Sequence, residues 1–214
     1  MKNISFNDRH RQKHFDFFRS MNHPHFSICA NVSVTELYPA LKSGGFRFMP
    51  AVAWLVSRAA NEIPELRQRI RGEQVVEHEV VHPSFSIATE ASDVFSFCEV
   101  DYSLLFHDFM ERATAKIARM QTDPTFEDEA GRDDYLYLSS LPWIAFTGVQ
   151  HAMHYHPHDS VPRITWGKVF EENGHLKMPL SIQAHHALVD GRHAGQFYQN
   201  VEQFCTQPTL WLKP

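Results

Sequence analysis

Two adjacent histidines occupy the segment of this sequence that is best suited to acid–base chemistry. Residues 183–195 read QAHHALVDGRHAG, and His185 and His186 end a strand-like run that turns at Asp190. Histidine is the side chain whose unperturbed pKa lies nearest neutrality, so His186 could remove a proton from a hydroxyl group. Adjacent strand residues face opposite sides of a sheet, so at most one of the pair points into a given site, and both could be ordinary strand residues.

Asp190 and Gly191 follow the histidines at the place where the chain must turn into a helix. Asp190 lies too far along the chain to be assumed the direct partner of His186. We expect it instead to brace the turn through a buried ion pair.

A second group of potential ligands lies at residues 151–158, where His151, His154, His156 and His158 occur within eight residues. Imidazole nitrogens bind Zn²⁺ and Ni²⁺, and His154 and His156 would share one face of a strand. No cysteine is nearby and the surroundings are polar, so a solvated loop is the favoured interpretation and no metal is assigned. The alternative is a non-catalytic, metal-binding protein in which this loop is the functional element.

Helices and strands that position these residues alternate along the chain. Apolar spacing and turn signals predict helices at about residues 7–21, 35–42, 50–63, 106–120 and 191–205. β-rich or alternating runs predict strands at 25–34, 75–89, 94–102, 135–147, 163–170 and 175–185. A Glu-Asn-Gly turn joins the last two strands, and acidic residues within 121–135 predict a surface loop. With no internal repeat or linker, we expect one domain over residues 1–214.

This interleaving of strands and helices predicts an α/β fold. Several connections have antiparallel character, which favours a two-layer sandwich in which helices cover a mixed β-sheet. The chain has 214 residues, of which 43% are hydrophobic and 21% charged, and that composition excludes a disordered protein.

Several cellular roles are disfavoured by composition. The longest strictly apolar run, residues 51–56, is far shorter than the roughly 20 residues that span a bilayer, and the first residues lack the apolar core of a signal peptide. A formal net charge of −5 argues against bulk binding of nucleic acid. The three cysteines are widely spaced, without a CxxC pair, so we expect reduced thiols in a soluble cytoplasmic protein.

Five segments in register give the chain a specific resemblance. They are Arg11 with the aromatic run at 14–18, FRFMP at 46–50, SSLPW at 139–143, PRITWGK at 162–168 and HHALVDG at 185–191. In this order they resemble the chloramphenicol acetyltransferase family, type A-like members of the HHxxxDG acyltransferase superfamily. HxxxDG alone also occurs in dihydrolipoyl acyltransferases, but no lipoyl domain or Ala/Pro-rich linker precedes the segment here.

This resemblance implies an acetyl-CoA-dependent O-acetyltransferase and a role for several residues. His186 matches the general base, Ser139 the serine that donates to the tetrahedral oxyanion, and Thr165 a threonine that helps to hold that intermediate through water. Asp190 and Arg11 match a structural ion pair behind the histidine. Two residues, Arg47 and Lys168, match basic positions near the 3′-phosphate of CoA, and Trp143 is assigned to the same cofactor region. Lys168 could instead guard an edge strand.

The resemblance also implies an acceptor pocket formed by Phe17, Phe18, Phe95, Tyr137 and Val149. Phe18, Tyr137 and Val149 depart from residues common in the family, so the acceptor is chloramphenicol or another small hydroxyl compound. Both substrates would bind together in a ternary complex that needs no metal. Family members form homotrimers with active sites at subunit interfaces, which implies that His186 of one subunit faces a pocket partly built by its neighbour, and that Phe17 and Phe18 could be supplied across that interface.

Overall fold

The structure is a computed structural model that describes residues 1–91, 93–127, 129, 131–154 and 159–213. Its helices are α1 (Arg9–Arg19), α2 (Leu37–Ser43), α3 (Phe48–Asn61), α4 (Phe106–Thr122), α5 (Gly191–Thr206) and α6 (Thr209–Leu212), with a 3-10 turn at Pro64–Arg67. The strands are β1 (Lys2–Ile4), β2 (His25–Ser33), β3 (Gln68–Arg71), β4 (Gln74–Glu77), β5 (His82–Ala88), β6 (Phe95–Glu99), β7 (Tyr135–Leu141), β8 (Arg163–Gly167), β9 (Phe170–Glu172) and β10 (His175–His185).

The main sheet is mixed and has the strand order β2-β10-β8-β7-β5-β6, with β9 paired to β10. β7 is parallel to both β5 and β8, and the other neighbours are antiparallel. Three of the helices, α3, α4 and α5, pack on this sheet, so the predicted α/β architecture of a mixed sheet covered by helices is confirmed.

The two faces of the main sheet differ in chemistry because side chains alternate along each strand. One lateral row, reading from β5 to β2, is Phe85, Leu138, Ile164, Ile182 and Ile28. The next row, on the opposite face, is Tyr137, Arg163, Gln183 and Ser27, and a further row on that same face is Ser139, Thr165, Ser181 and Cys29. Helices cover the apolar face, and the polar face carries the groups capable of chemistry.

A small antiparallel sheet of order β1-β4-β3 joins the main sheet through a buried arginine. Arg69, with none of its surface exposed, donates to the carbonyl oxygens of Asp133 and Tyr135 at the start of β7. Since a buried guanidinium needs acceptors for its N–H groups, these carbonyls fix the position of one sheet against the other.

Several boundaries differ from those predicted. The strand predicted at 135–147 ends at Leu141, because Pro142 offers no N–H to continue the ladder. The strand predicted at 163–170 divides after Gly167, where the Lys168 N–H donates to the Ile144 carbonyl at 2.8 Å. The β-rich run predicted at 75–89 divides into β4 and β5, and the short elements β1, β3, β9 and α6 were not predicted as separate elements.

No helix in the described part of the chain is long and apolar enough to cross a membrane. All three cysteines lie within the described residues and are unpaired, as expected.

Candidate active site

A cavity of about 1210 Å³ opens on the polar face of the main sheet. Its lining includes Ser139 on β7 and Thr165 on β8, which are register partners in the parallel pair. Of the other residues predicted for the site, the cavity brings together Phe95, Tyr137, Val149 and Trp143. Two hydroxyls on adjacent strands, at the base of a pocket of this size, can donate hydrogen bonds to one ligand atom.

The chain that follows β7 crosses the polar face and places His151 in this cavity. The His151 N–H donates to the Gln183 side-chain oxygen at 3.0 Å, and its ring Nε2 lies 2.7 Å from Thr165 Oγ1. Ser27 Oγ donates to the Val149 carbonyl at 3.2 Å, which ties the same segment to β2. His151 therefore belongs to the site, whereas the sequence favoured a solvated loop.

Charge beside His151 comes from Arg163, which lies under the same loop. Its guanidinium pairs with the Asp159 carboxylate, donates to the Val161 carbonyl at 2.8 Å and lies 5.2 Å from the centre of the Tyr137 ring. Burial, and secondarily the positive charge of Arg163, lowers the pKa of His151 below its ordinary value. The His151 imidazole is therefore neutral at pH 7.

His186 lies in the turn after β10, away from this cavity. Its ring stacks on Phe18 with 3.9 Å between ring centres and an angle of 15°, and Phe26 packs at 4.6 Å. The His186 N–H donates to the Pro24 carbonyl at 2.8 Å. Nδ1 is buried without a hydrogen-bond partner among the described residues. Aromatic packing and a backbone hydrogen bond thus fix the plane of the imidazole.

The two histidines of the pair face different surroundings, as strand geometry predicts. The ring of His185 is buried and contacts the ring of His25, with 5.0 Å between centres. Of the two, His186 packs against Phe18 of α1 in its own chain, so the prediction that Phe18 comes to this histidine from a neighbouring subunit is wrong.

The turn behind His186 is held from two sides. Arg11 on α1 donates to the carbonyls of Ala187 at 2.8 Å and Leu188 at 2.9 Å. Asp190 Oδ1 accepts from the N–H groups of Arg192 and His193 as the N-cap of α5. The carbonyl oxygens of the turn are suitable acceptors for the guanidinium of Arg11. The carboxylate of Asp190 is a suitable acceptor for the free N–H groups at the N-terminus of a helix.

The predicted ion pair of Arg11 with Asp190 is therefore wrong as a direct contact, because Arg11 contacts carbonyls of the turn and the His14 ring, whereas Asp190 contacts the first turn of α5. They still interact through space. Burial lowers the pKa of Arg11, while the charges of Glu65 and Asp190 oppose that shift.

His14 is a further residue beside His186 to which the sequence assigned no role. Its Nδ1 lies 2.8 Å from the Arg11 guanidinium, and its ring centre lies 5.6 Å from that of His186. Burial, then the charges of Arg11 and His186, lowers its pKa. Its position three residues after Arg11 on a predicted helix was the available signal.

The predicted site residues thus fall into two groups within one chain. The hydroxyl group consists of Ser139 and Thr165 with the cavity around them, and the histidine group consists of His186 with Phe17, Phe18, Arg11 and Asp190. Thr165 pairs with Ser181, and His186 lies five residues beyond Ser181 along the chain. At about 3.3 Å per residue, these five residues span about 16 Å, from Ser181 within β10 to His186 in the turn just after it.

The predicted cofactor residues are also dispersed. Arg47 precedes α3 and Lys168 follows β8, and both are exposed. Trp143 is 75% exposed at the edge of the cavity, and Phe17 is 60% exposed beside Phe18. Exposed tryptophan and phenylalanine side chains are available to a ligand or to another copy of the chain.

Within the described residues, no three His, Cys, Asp or Glu side chains are grouped to hold a metal ion. His156 and His158 of the predicted histidine cluster lie outside the described residues.

Comparison with known proteins decides the family. A model described as chloramphenicol acetyltransferase matches residues 1–202. The chain belongs to the chloramphenicol acetyltransferase family. The resemblance stated from the sequence motifs is thereby confirmed, and so is the predicted enzyme class, an acyltransferase similar to chloramphenicol acetyltransferase.

Curated relatives of this family cover nearly the whole chain. Chloramphenicol acetyltransferase 3 of Escherichia coli is 28% identical over 91% of this chain and 92% of its own length. Chloramphenicol acetyltransferase 2 of Escherichia coli is 29% identical over 94% and 95%, and the Bacillus pumilus enzyme is 28% identical over 94% and 92%.

Solved structures agree with the family fold. A chloramphenicol acetyltransferase superposes with a TM-score of 0.82 and 28% identity over 95% of this chain and all of its own. The cubic core of the pyruvate dehydrogenase multienzyme complex superposes with a TM-score of 0.69 at 15% identity, over 99% of this chain and 95% of its own. The second likeness, at 15% identity, shows a shared fold and nothing more.

Proposed function

We propose that this protein transfers the acetyl group of acetyl-CoA to a hydroxyl of chloramphenicol or a similar small molecule. The match to the family model over residues 1–202 carries the proposal. The relatives that cover more than nine-tenths of the chain bear the name chloramphenicol acetyltransferase, and a large cavity with paired hydroxyls is present for the substrates.

His186 is the general base in this proposal. It removes the proton from the acceptor hydroxyl as the oxygen attacks the thioester carbonyl, and the thiolate of CoA leaves and takes up the proton. Burial of Nδ1 leaves Nε2 as the ring nitrogen that meets the acceptor. Stacking on Phe18 and the hydrogen bond to Pro24 hold the ring for that step.

Ser139 and Thr165 stabilise the tetrahedral intermediate. The Ser139 hydroxyl donates to the oxyanion, and Thr165 acts through a bridging water. Their adjacent places in the β7–β8 pair support a shared role, since preorganised donors stabilise charge as it develops. Both substrates bind together, and no covalent acyl-enzyme forms.

Two copies of the chain contribute to each active site, in a homotrimer. The separation of about 16 Å between His186 and the row of Ser139 and Thr165 supports this proposal, because proton transfer requires contact within about 3 Å. The exposed Phe17 of one subunit, with Phe18, would then meet Phe95, Tyr137 and Val149 of its neighbour around the acceptor.

CoA is held at the edge of the same cavity. Trp143 is the exposed aromatic surface there, and Arg47 and Lys168 are exposed cations available to its 3′-phosphate. The reaction as proposed uses no metal.

The test is to incubate the purified protein with acetyl-CoA and chloramphenicol and to detect acetylated product by mass spectrometry. His186→Ala should lower turnover by about 10²–10⁴-fold, the scale of a general base. The exposed His175→Ala is the matched control and should retain full activity. Full activity of His186→Ala would overturn the mechanism. Product from another hydroxyl compound but not from chloramphenicol would overturn the acceptor and leave the reaction type standing.

A further inference from the structure

One titratable side chain in the cavity has no role in the mechanism proposed above. His151 reaches the reaction cavity on the segment that follows β7, and its Nε2 lies 2.7 Å from the Thr165 hydroxyl oxygen. The sequence offered only two interpretations of this residue, as a metal ligand or as part of a solvated loop. Neither interpretation accounts for a short hydrogen bond to a residue of the oxyanion region.

We propose that His151 is a positioning residue that orients the hydroxyl of Thr165 toward the tetrahedral intermediate. The inference rests on the proposed acetyl transfer and deepens it by adding a residue that acts through Thr165. In this arrangement the Nε2–H of His151 donates to Oγ1 of Thr165. The hydroxyl hydrogen of Thr165 then points into the cavity and donates to the water that binds the oxyanion.

The hydrogen-bonding capacity of the two groups supports this direction. A threonine hydroxyl has one donor and two acceptor positions, so accepting from His151 leaves its only hydrogen for the intermediate. If His151 accepted instead, that hydrogen would point away from the reacting atoms. Donors that already have their final orientation before reaction stabilise a transition state more than donors that must rotate into place.

The position of His151 is itself fixed by the sheet. Its backbone N–H donates to Gln183 on β10, the strand beside β8, at 3.0 Å. Ser27 on the next strand holds the adjoining Val149 carbonyl. The backbone of the segment that carries His151 is therefore tied to β10 and β2, while the His151 ring contacts a side chain of β8.

Burial, and secondarily the charge of Arg163, keeps the His151 ring neutral. Arg163 on β8 faces it, and the Asp159 carboxylate pairs with that arginine. Burial and the positive charge of Arg163 both disfavour a second proton on the ring. A neutral imidazole carries one N–H, and in this proposal Nε2 bears it and donates to Oγ1.

Another role for His151 would be direct contact with the acceptor, since it lines the cavity. The two roles differ in their dependence on Thr165. A residue that acts through Thr165 loses its effect when the hydroxyl is removed, whereas a residue that binds the acceptor keeps it. A double-mutant cycle separates these cases.

The experiment compares wild type, His151→Leu, Thr165→Val and the double variant in steady-state acetylation of chloramphenicol. We expect His151→Leu to lower kcat by about 10–100-fold, less than the roughly 10²–10³-fold cost of removing an oxyanion donor outright, with both KM values changed less than about two-fold. The double variant should be no slower than Thr165→Val. His151→Gln, which keeps an N–H donor at similar reach, should recover most of kcat, and the exposed His175→Leu is the matched control.

The inference would be overturned if the loss of kcat in the double variant equalled the product of the losses in the two single variants. It would also be overturned if His151→Leu changed only the KM for the acceptor. Absence of transfer by the wild-type protein would instead overturn the proposed function itself, so the two failures are distinguishable. A second readout does not need turnover: ¹⁵N NMR of the histidine side chains should show the Nε2–H tautomer for His151, identified by its loss in His151→Gln. The Nδ1–H tautomer would also overturn the inference.

Discussion

Activity restored by mixing two inactive variants is the sharpest consequence of the separation between His186 and Ser139. The cavity that contains Ser139 and Thr165 does not include His186, which lies in the turn after β10, about 16 Å along the chain from the row of Thr165. A general base acts only within about 3 Å of the proton that it removes, so the proposed mechanism requires the histidine and the serine of each site to come from two chains. His186→Ala and Ser139→Ala should each be defective when prepared alone.

The expected recovery follows from how the copies combine. If each site takes the histidine of one subunit and the serine of its neighbour, a random 1:1 mixture leaves about one quarter of the sites with both groups intact. The two variants, carrying different affinity tags, are co-expressed, and acetylation is measured per subunit. We expect about one quarter of wild-type turnover, far above the residual activity of either variant.

Mixing at other ratios provides the control. The intact fraction is the product of the fractions of the two variants, so recovery should decline on either side of 1:1. Turnover that stays at the average of the two separate variants would refute the reasoning, because it would mean that His186 and Ser139 act within one chain.

Three further outcomes are expected. Ser139→Ala should lower kcat by about 10²–10³-fold in the acetylation assay, the cost of one oxyanion donor. Burial opposes ionisation of Asp133, but hydrogen bonds from Arg71 and His78 outweigh it and hold the pKa of that carboxyl well below its ordinary value of about 4. The associated stability is present above about pH 4 and is lost as pH falls through the lowered pKa, so Asp133→Asn should lower the free energy of unfolding in urea at pH 7 and reduce its decline below pH 4. Gly167→Ala should lower the free energy of unfolding by about 1–3 kcal/mol, because its Cβ would lie 2.8 Å from a backbone carbonyl oxygen.

Each of these outcomes has its own control and contradiction. Ser43→Ala, at an exposed serine, should leave kcat unchanged, and an equal effect at both serines would remove Ser139 from the mechanism. For Asp133, a decline below pH 4 as steep as that of the wild type would disprove the linkage. In Gly195→Ala, within α5, the added Cβ would have no atom within 4 Å, so the free energy of unfolding should be unchanged or higher. An equal loss of stability in both alanine variants would show that crowding does not cause the effect at Gly167.

Local signals in the sequence were sufficient for most helices. Asp8 lies at the start of the helix predicted at about residues 7–21, and it caps α1 by accepting from the Arg11 N–H at 2.7 Å. The apolar stripes of α3 and α4 give buried faces at helical spacing. These elements are determined by interactions within a few residues, which periodicity detects.

Strand ends depended on partners that are distant in sequence. The apolar run at 135–147 predicted a longer strand, yet Trp143 and Ile144 beyond Pro142 are 75% and 55% exposed. β3 is short and carries Arg69, whose burial depends on carbonyls more than 60 residues away. The spacing of residues along the sequence does not predict contacts between segments that are this far apart.

The same distinction holds for the site. The motifs around Ser139 and Thr165 predicted two residues that are now register partners in one cavity. His151 could not be assigned there, because its place depends on a segment that folds back over β8 and β10. The predicted direct pairing of Arg11 with Asp190 is wrong because both side chains form hydrogen bonds with backbone groups near the turn. A sequence motif shows side-chain types and does not show such backbone contacts.

The turn that carries His186 has a consequence for how acceptors could change during evolution. Its restraints come from Arg11, from Asp190 as a helix cap and from Pro24, whereas the cavity wall is built from other elements: Phe95 and Tyr137 lie on β6 and β7. Among the described residues, no side-chain hydrogen bond links these two sets. Replacement of wall residues can therefore reshape the cavity without displacing the His186 ring, so that under the proposed function the same histidine can be adapted to hydroxyl compounds of different shapes.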